Sequence, residues 1–219
     1  IRTGITMNFA LIIPSTAFMI IMNQPIVSLV YQRGSFDAES TRLTGEAFLY
    51  YAIGLLGLSL NAFFSRIFSI YQKNKLPFYV SIGSSLLNIA LMFALVNTSL
   101  NHGGIALASS LAFIVNSLVL FIYLLKELKL KLKLSAIVEE LMLIIGYSTI
   151  AGLAAGYFYD RVLNAWSQSL FGSLFMQNLV NILITAGVIG ILFILMVLII
   201  GPESLKIQIL RFRKRIKNR

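Results

Sequence analysis

An all-α fold set in a membrane is what the sequence predicts, and three observations predict it. Apolar residues fill 58% of 219 positions and charged residues only 12%, against roughly 45–50% and about 25% in soluble globular domains. The mean hydropathy is +0.87. The apolar residues are gathered into runs that reach the length of about 20 residues a spanning helix needs, and the alternation expected of membrane strands is missing. The predicted fold class is therefore all-α: a polytopic transmembrane helical bundle of six spans.

The first run, Phe9 to Tyr31, carries Pro14 and Pro25. Each proline removes one intrahelical donor, so a bent helix is expected. It ends in the turn-rich link Gln32-Arg33-Gly34-Ser35-Phe36-Asp37. The second run, Gly45 to Gln72, is long enough to tilt or project beyond the hydrocarbon, and Lys73-Asn74-Lys75-Leu76-Pro77 closes it. The third runs from Phe78 to Val96, and a turn over Asn97 to Gly104 leads to the fourth, Ile105 to Leu125. Lysines 126, 129, 131 and 133 then alternate with leucines 128, 130, 132 and 134. That pattern predicts a basic amphipathic connector on the membrane surface. The fifth run covers Leu141 to Phe158, a polar link is expected over Tyr159 to Gln168, and the sixth run is Phe175 to Ile200. The last stretch, Lys206 to Arg219, is a basic tail.

The net charge of +10 would suit an acidic partner such as nucleic acid, but the charges lie between the apolar runs. With six spans, alternate links share a side. Arg2, Lys73, Lys75, the connector lysines and the tail fall on one side. Arg33, Arg42 and Arg161 fall on the other, with Asp37, Glu39, Glu46 and Asp160. Positive residues concentrate on the cytoplasmic side, so both ends are predicted to be cytoplasmic. The basic residues are then topogenic and in contact with anionic membrane lipids, and a nucleic-acid partner is excluded. Cysteine is absent. The chain opens Ile1-Arg2-Thr3, without Met or a cleavable signal, and is read as a piece of a longer protein.

Polar groups in hydrocarbon are costly unless paired or wet, so they mark where function is to be sought. Ser81, Ser84, Ser85 and Asn88 share one stripe of the third span, either as a helix contact or as the lining of an aqueous path. Asn61, Ser65 and Arg66 lie toward the cytoplasmic end of the second. Arg66 either snorkels to the interface or offers its planar donor fork to a phosphate. Ser110, Asn116 and Ser117 mark a small polar face of the fourth span beside Ala106, Ala108 and Ala112. Ser148, Gly152 and Gly156 form a small-residue ridge, read as a helix contact. Asn178, Asn181 and Thr185 are read as facing a solvated interface. The substrate-path candidates are Asn61, Arg66, Ser81, Ser85, Asn88 and Asn116. No catalytic set, metal cluster or cofactor site is expected. His102 is the only histidine and falls in a turn, no acid is expected deep in a span, and Gly103-Gly104 lacks the context of a nucleotide loop. The chain is not expected to be an enzyme.

Several stretches in order resemble the MurJ or MviN family of lipid II flippases, within the multidrug/oligosaccharidyl-lipid/polysaccharide exporter superfamily. They are Leu11-Ile12-Ile13-Pro14, Gln24-Pro25-Ile26, Tyr31-Gln32-Arg33-Gly34-Ser35-Phe36-Asp37 and Thr41, then Tyr51-Ala52-Ile53-Gly54-Leu55, Arg66-Ile67-Phe68-Ser69-Ile70-Tyr71 and Lys75-Leu76-Pro77. Asn88 and Gly103-Gly104-Ile105-Ala106-Leu107-Ala108-Ser109-Ser110 complete the series. Gln72-Lys73-Asn74-Lys75 departs from it where relatives carry an acidic residue.

The resemblance implies the C-terminal portion of a fourteen-span, two-lobe transporter of the bacterial cytoplasmic membrane. Residues 1–126 would be four helices of the second lobe, 127–140 the cytoplasmic connector, 141–205 two additional helices beside a lipid-tail groove, and 206–219 the cytoplasmic tail. It implies alternating access that moves the lipid-linked cell-wall precursor from the cytoplasmic to the outer leaflet, with the upstream lobe of the same polypeptide supplying the main substrate contacts. Two alternatives stand beside it: another exporter of the superfamily, for polysaccharide-lipids or drugs, and a non-transporting scaffold that binds lipid-linked sugars.

Overall fold

In the computed structural model, residues 1–98, 100–127, 133–201 and 206 are described. Among these, every regular element is a helix, and six helical stretches have the length and hydropathy to cross a membrane. The helices fall into two compact units. One combines Ile1–Ile21 with Lys133–Arg219, and the other is Met22–Leu132. The division differs from the sequence expectation, which groups the first helix with the next three. Of the connector, residues 128–132 lie outside the described residues, as does all of the tail except Lys206.

The first apolar run is two helices, α1 (Arg2–Ile21) and α2 (Asn23–Tyr31), parted at Met22. The break falls where Pro25 dictates: proline has no N–H to give the carbonyl four residues back, and its ring crowds that carbonyl, which belongs to Ile21. Pro25 itself sits harmlessly in the first turn of α2. Pro14 lies inside α1 and does not end it.

The second unit is built on α3 (Ala38–Ile70), α4 (Lys75–Val96) and α5 (Asn101–Glu127), with α2 against α3. Asp37 caps α3, its carboxylate accepting from the Ser40 N–H at 2.8 Å. At 33 residues α3 is about 50 Å long, well beyond a hydrocarbon core of about 30 Å. It closes in a Schellman motif, with Lys73 N–H on Phe68 O at 2.9 Å and Gln72 N–H on Ser69 O at 3.0 Å. Gln72 takes the left-handed position with φ 57°. Pro77 occupies the first turn of α4, where its missing donor is not needed. His102 is the second residue of α5, within a helix rather than a turn.

Helix α5 is the centre of this unit, packing on both α3 and α4. Lipid tails are as apolar as leucine, so helices in a membrane associate through close packing and hydrogen bonds. The sequence supplies the small residues that allow it. A Cβ on Gly57 would lie 2.7 Å from Ile114 N, and one on Gly54 2.6 Å from Ser110 Cα, so the α3 and α5 backbones nearly touch there. Ala106, Ala108 and Ala112 are buried beside this crossing, and Phe64 stacks on Phe121 with centroids 5.5 Å apart.

The first unit packs α1, α6 (Leu134–Phe158) and α8 (Leu174–Ile199). The predicted ridge is a contact: Gly152 faces Ala17 and Ile21, and Gly156 faces Ile21. Ala151, Ala155 and Ile189 form a dry cluster closed by Phe18, Ile21, Val188 and Leu192. The polar link expected over Tyr159 to Gln168 is instead helix throughout, a π turn at Tyr159–Leu163 followed by α7 (Asn164–Leu170). Polarity alone does not end a helix, and this stretch holds neither Gly nor Pro. The π turn also has a packing reason. Ala151, Ala155, Leu163 and Ser167 are buried, and half-buried Tyr159 continues their spacing of four. In an α-helix each such step drifts by about 40°. The wider turn takes up that drift and keeps the seam on one face.

Candidate functional site

The polar residues of the second unit separate into structural and open positions. Ser110 is fully buried and donates to Tyr50 O at 2.7 Å, tying α5 to α3. Ser84 donates to Ala112 O at 2.9 Å, tying α4 to α5, and Ser109 reaches Asn88 Oδ1 at 3.5 Å. The half-buried Asn88 therefore belongs to the α4–α5 contact. Asn61 accepts from Ser65 at 3.3 Å within its own helix. Asn116 is only 4% exposed, and its Oδ1 has no hydrogen-bond partner. Such an atom costs free energy in a dry interior, which makes Asn116 a position where packing alone does not explain the side chain.

Ser81, Ser85 and Arg66 are exposed. Ser85 Oγ is turned back on Ser81 O at 2.9 Å, which quiets a hydroxyl on an apolar helix without any partner from another helix. Ser81 and Ser85 share the α4 surface with Phe78, Ile82, Leu86 and Ile89, all exposed. Arg66 pairs with no carboxylate among the described residues, whereas Lys73, near the same end of α3, is bridged to Glu127 at the end of α5. The structure thus brings Asn88 into a helix contact, leaves Arg66, Ser81 and Ser85 open, and keeps Asn61 and Asn116 within the bundle. It does not gather the six candidates into one pocket.

Beyond that unit's open polar positions lies one apolar hollow, about 290 Å³, lined by Ile89, Met92, Phe93, Val96 and Ile105. On the α2–α3 loop side, the Ser40 N–H holds the Asp37 carboxyl below its ordinary value of 3.8. Arg42 bridges Glu39 at 2.7 Å and also pairs with Glu46.

Two expectations fail in the first unit. Asn178, Asn181 and Thr185, expected at a solvated interface, are 8%, 1% and 0% exposed. Their stripe continues into Ile189, Phe193 and Val197, so the face that reads as polar at one end of α8 is its packing face along its whole length. An acid also lies inside a span. Glu140, assigned by composition to the surface connector, is 4% exposed on α6, two turns from its start, and is bridged to Arg2 at 2.7 Å. The missed signal was distant in sequence: an Arg ahead of the first apolar run and the Glu139-Glu140 pair just ahead of the fifth. Among the described residues no group of three or more His, Cys, Asp or Glu side chains is placed to hold a metal ion.

Six apolar helices joined by short links, with polar side chains spent on interhelical hydrogen bonds, define a multi-pass α-helical membrane protein. The family model described as lipid II flippase MurJ matches residues 1–177, and the chain belongs to that family. It is 31% identical over 132 residues to the probable lipid II flippase MurJ of Rickettsia prowazekii, covering 60% of this chain and 26% of that protein. It is 26% identical over 193 residues to the Synechocystis counterpart, covering 86% and 36%. A solved structure titled lipid II flippase MurJ, inward closed conformation, superposes with a TM-score of 0.67 at 25% identity, over 88% of this chain and 37% of that one. The chain thus spans about a quarter to two fifths of the length of these relatives. Family membership makes it a multi-pass bacterial membrane protein.

Proposed function

We propose that this chain is the C-terminal portion of a flippase that moves the lipid-linked peptidoglycan precursor from the cytoplasmic to the outer leaflet by alternating access. The family match over residues 1–177 supports the substrate class. The observation within the chain that carries the reading is Arg66, an exposed permanent cation on α3 that pairs with no carboxylate among the described residues. Its planar donor fork suits the pyrophosphate of such a precursor, and Asn61, Ser81, Ser85, Asn88 and Asn116 are proposed as the rest of this portion's path. The transported molecule is not chemically altered, so no catalytic residue is assigned. Transport would draw on an ion gradient or the membrane potential.

In this reading both ends of the chain and the link between α5 and α6 lie in the cytoplasm, consistent with the charge asymmetry. Residues 1–126 serve the second lobe, and residues 141–205 add two helices beside the lipid tail. The upstream lobe of the same polypeptide supplies the remaining contacts. Reconstituting the full-length protein in vesicles and following leaflet exchange of labelled precursor under an imposed potential tests the reading. Exchange above protein-free vesicles is expected. Exchange of polysaccharide-linked lipid alone would favour another exporter of the superfamily, and binding without exchange would favour a scaffold.

A further inference from the structure

Glu140 is the one carboxylate buried within a span among the described residues, and both of its oxygens are occupied. Arg2 Nη2 donates to Oε1 at 2.7 Å, and the hydroxyl of Thr6 donates to Oε2. Arg2 and Thr6 are one helical turn apart on α1, and Thr6 is fully buried. The rest of the α1–α6 contact is of another kind. Ala17, Phe18 and Ile21 lie against Gly152, Gly156, Ala151 and Ala155, a smooth surface of small apolar groups. Such a surface permits close approach but distinguishes poorly between one register and the next. An ion pair with one buried partner distinguishes sharply, because a slip takes Arg2, 44% exposed at its side chain, away from a carboxylate that is only 6% exposed.

We propose that Arg2, Thr6 and Glu140 form a polar latch that sets the register of α1 on α6 and keeps α1, α6 and α8 a single body throughout transport. Glu140 is a positioning residue in this account. The statement about register stands by itself, and only the statement about transport rests on the flippase reading.

The test uses the full-length protein in lipid nanodiscs and vesicles, with spin labels at Met7→Cys and Met142→Cys, two exposed positions on α1 and α6. Any cysteine elsewhere is replaced. One narrow distance distribution is expected, unchanged by added precursor or imposed potential. Glu140→Gln should broaden it, Arg2→Gln should broaden it further by removing the cation from a buried carboxylate, and the exchange Arg2→Glu with Glu140→Arg should narrow it again. Single variants as narrow as the parent, or a parent distribution that shifts with precursor or potential, would overturn the latch. If Arg2→Gln does not accumulate, Thr6→Val paired with Glu140→Gln decides the same point, since loss of coupling between them is the overturning result. Precursor that never changes leaflet would count against the flippase reading, while the distances would still decide the register.

Discussion

Gly57→Ala is the sharpest probe of how the second unit is held. The added Cβ would stand 2.7 Å from Ile114 N and 2.8 Å from Phe113 C, where ordinary contact begins at 3.4 Å. Neither is a side chain that can turn aside, so α5 must back away from α3 by about 0.7 Å at its closest approach. Overpacking of this kind costs about 1–3 kcal/mol, roughly 5- to 150-fold in the folding equilibrium. The same substitution also brings a gain of up to about 1 kcal/mol from helix propensity, which has to be removed from the comparison. Gly83→Ala supplies the control, because a Cβ there meets nothing within 4 Å. Unfolding of both variants in mild detergent, followed by thermal midpoint and by denaturant, should therefore separate them by about 1–3 kcal/mol with Gly57→Ala the weaker. Equal stability within about 0.5 kcal/mol would refute the glycine-dependent crossing and place the α3–α5 attachment elsewhere.

Three further outcomes are expected. Gln72→Gly should raise stability by up to about 1 kcal/mol in the same assay, since the left-handed position that ends α3 penalises a side chain. For Asp37 the folded carboxyl titrates below its ordinary 3.8, so its contribution is complete above that value and is lost as the pH falls through the lower, folded value. Asp37→Asn keeps the capping acceptor without the titration, and its thermal midpoint should change less with acidification than the parent's. Arg66→Gln should slow leaflet exchange of the precursor at least several-fold while leaving the melting midpoint in place, and Arg66→Lys should recover it only in part; equal exchange in all three proteins would remove Arg66 from the path.

The spans were legible because hydropathy over about 20 residues is a bulk property that neighbours cannot reverse. Gly152 and Gly156 were legible as a contact for a related reason: four-residue spacing of small groups has few other uses in lipid. What stayed hidden depended on partners far away in the chain. Glu140 looks like a surface acid until Arg2 and Thr6 are seen beside it, 138 and 134 residues earlier. Asn181 and Thr185 look like an interface because they sit near the end of an apolar run, and only the stripe through Ile189 and Phe193 shows which way they face. Among the path candidates, the sequence could place Asn88 and Ser81 on one helix but could not tell that Ser109 lies opposite the first and that the second is exposed.

The π turn at Tyr159–Leu163 bears on how this stretch of gene tolerates change in length. A widened turn of this kind is geometrically equivalent to one extra residue threaded into an α-helix. Losing a single codon there, for instance that of the exposed Val162, would leave an uninterrupted helix rather than a broken one. Downstream, the side chains of α7 would keep their facing, because four α-helical residues advance by about 400°, close to what the five-residue wider turn covers, and Ser167 would stay on its buried face. A one-residue deletion within residues 159–163 should therefore be tolerated, while a two-residue deletion, which turns α7 by about 100°, should lower the melting midpoint.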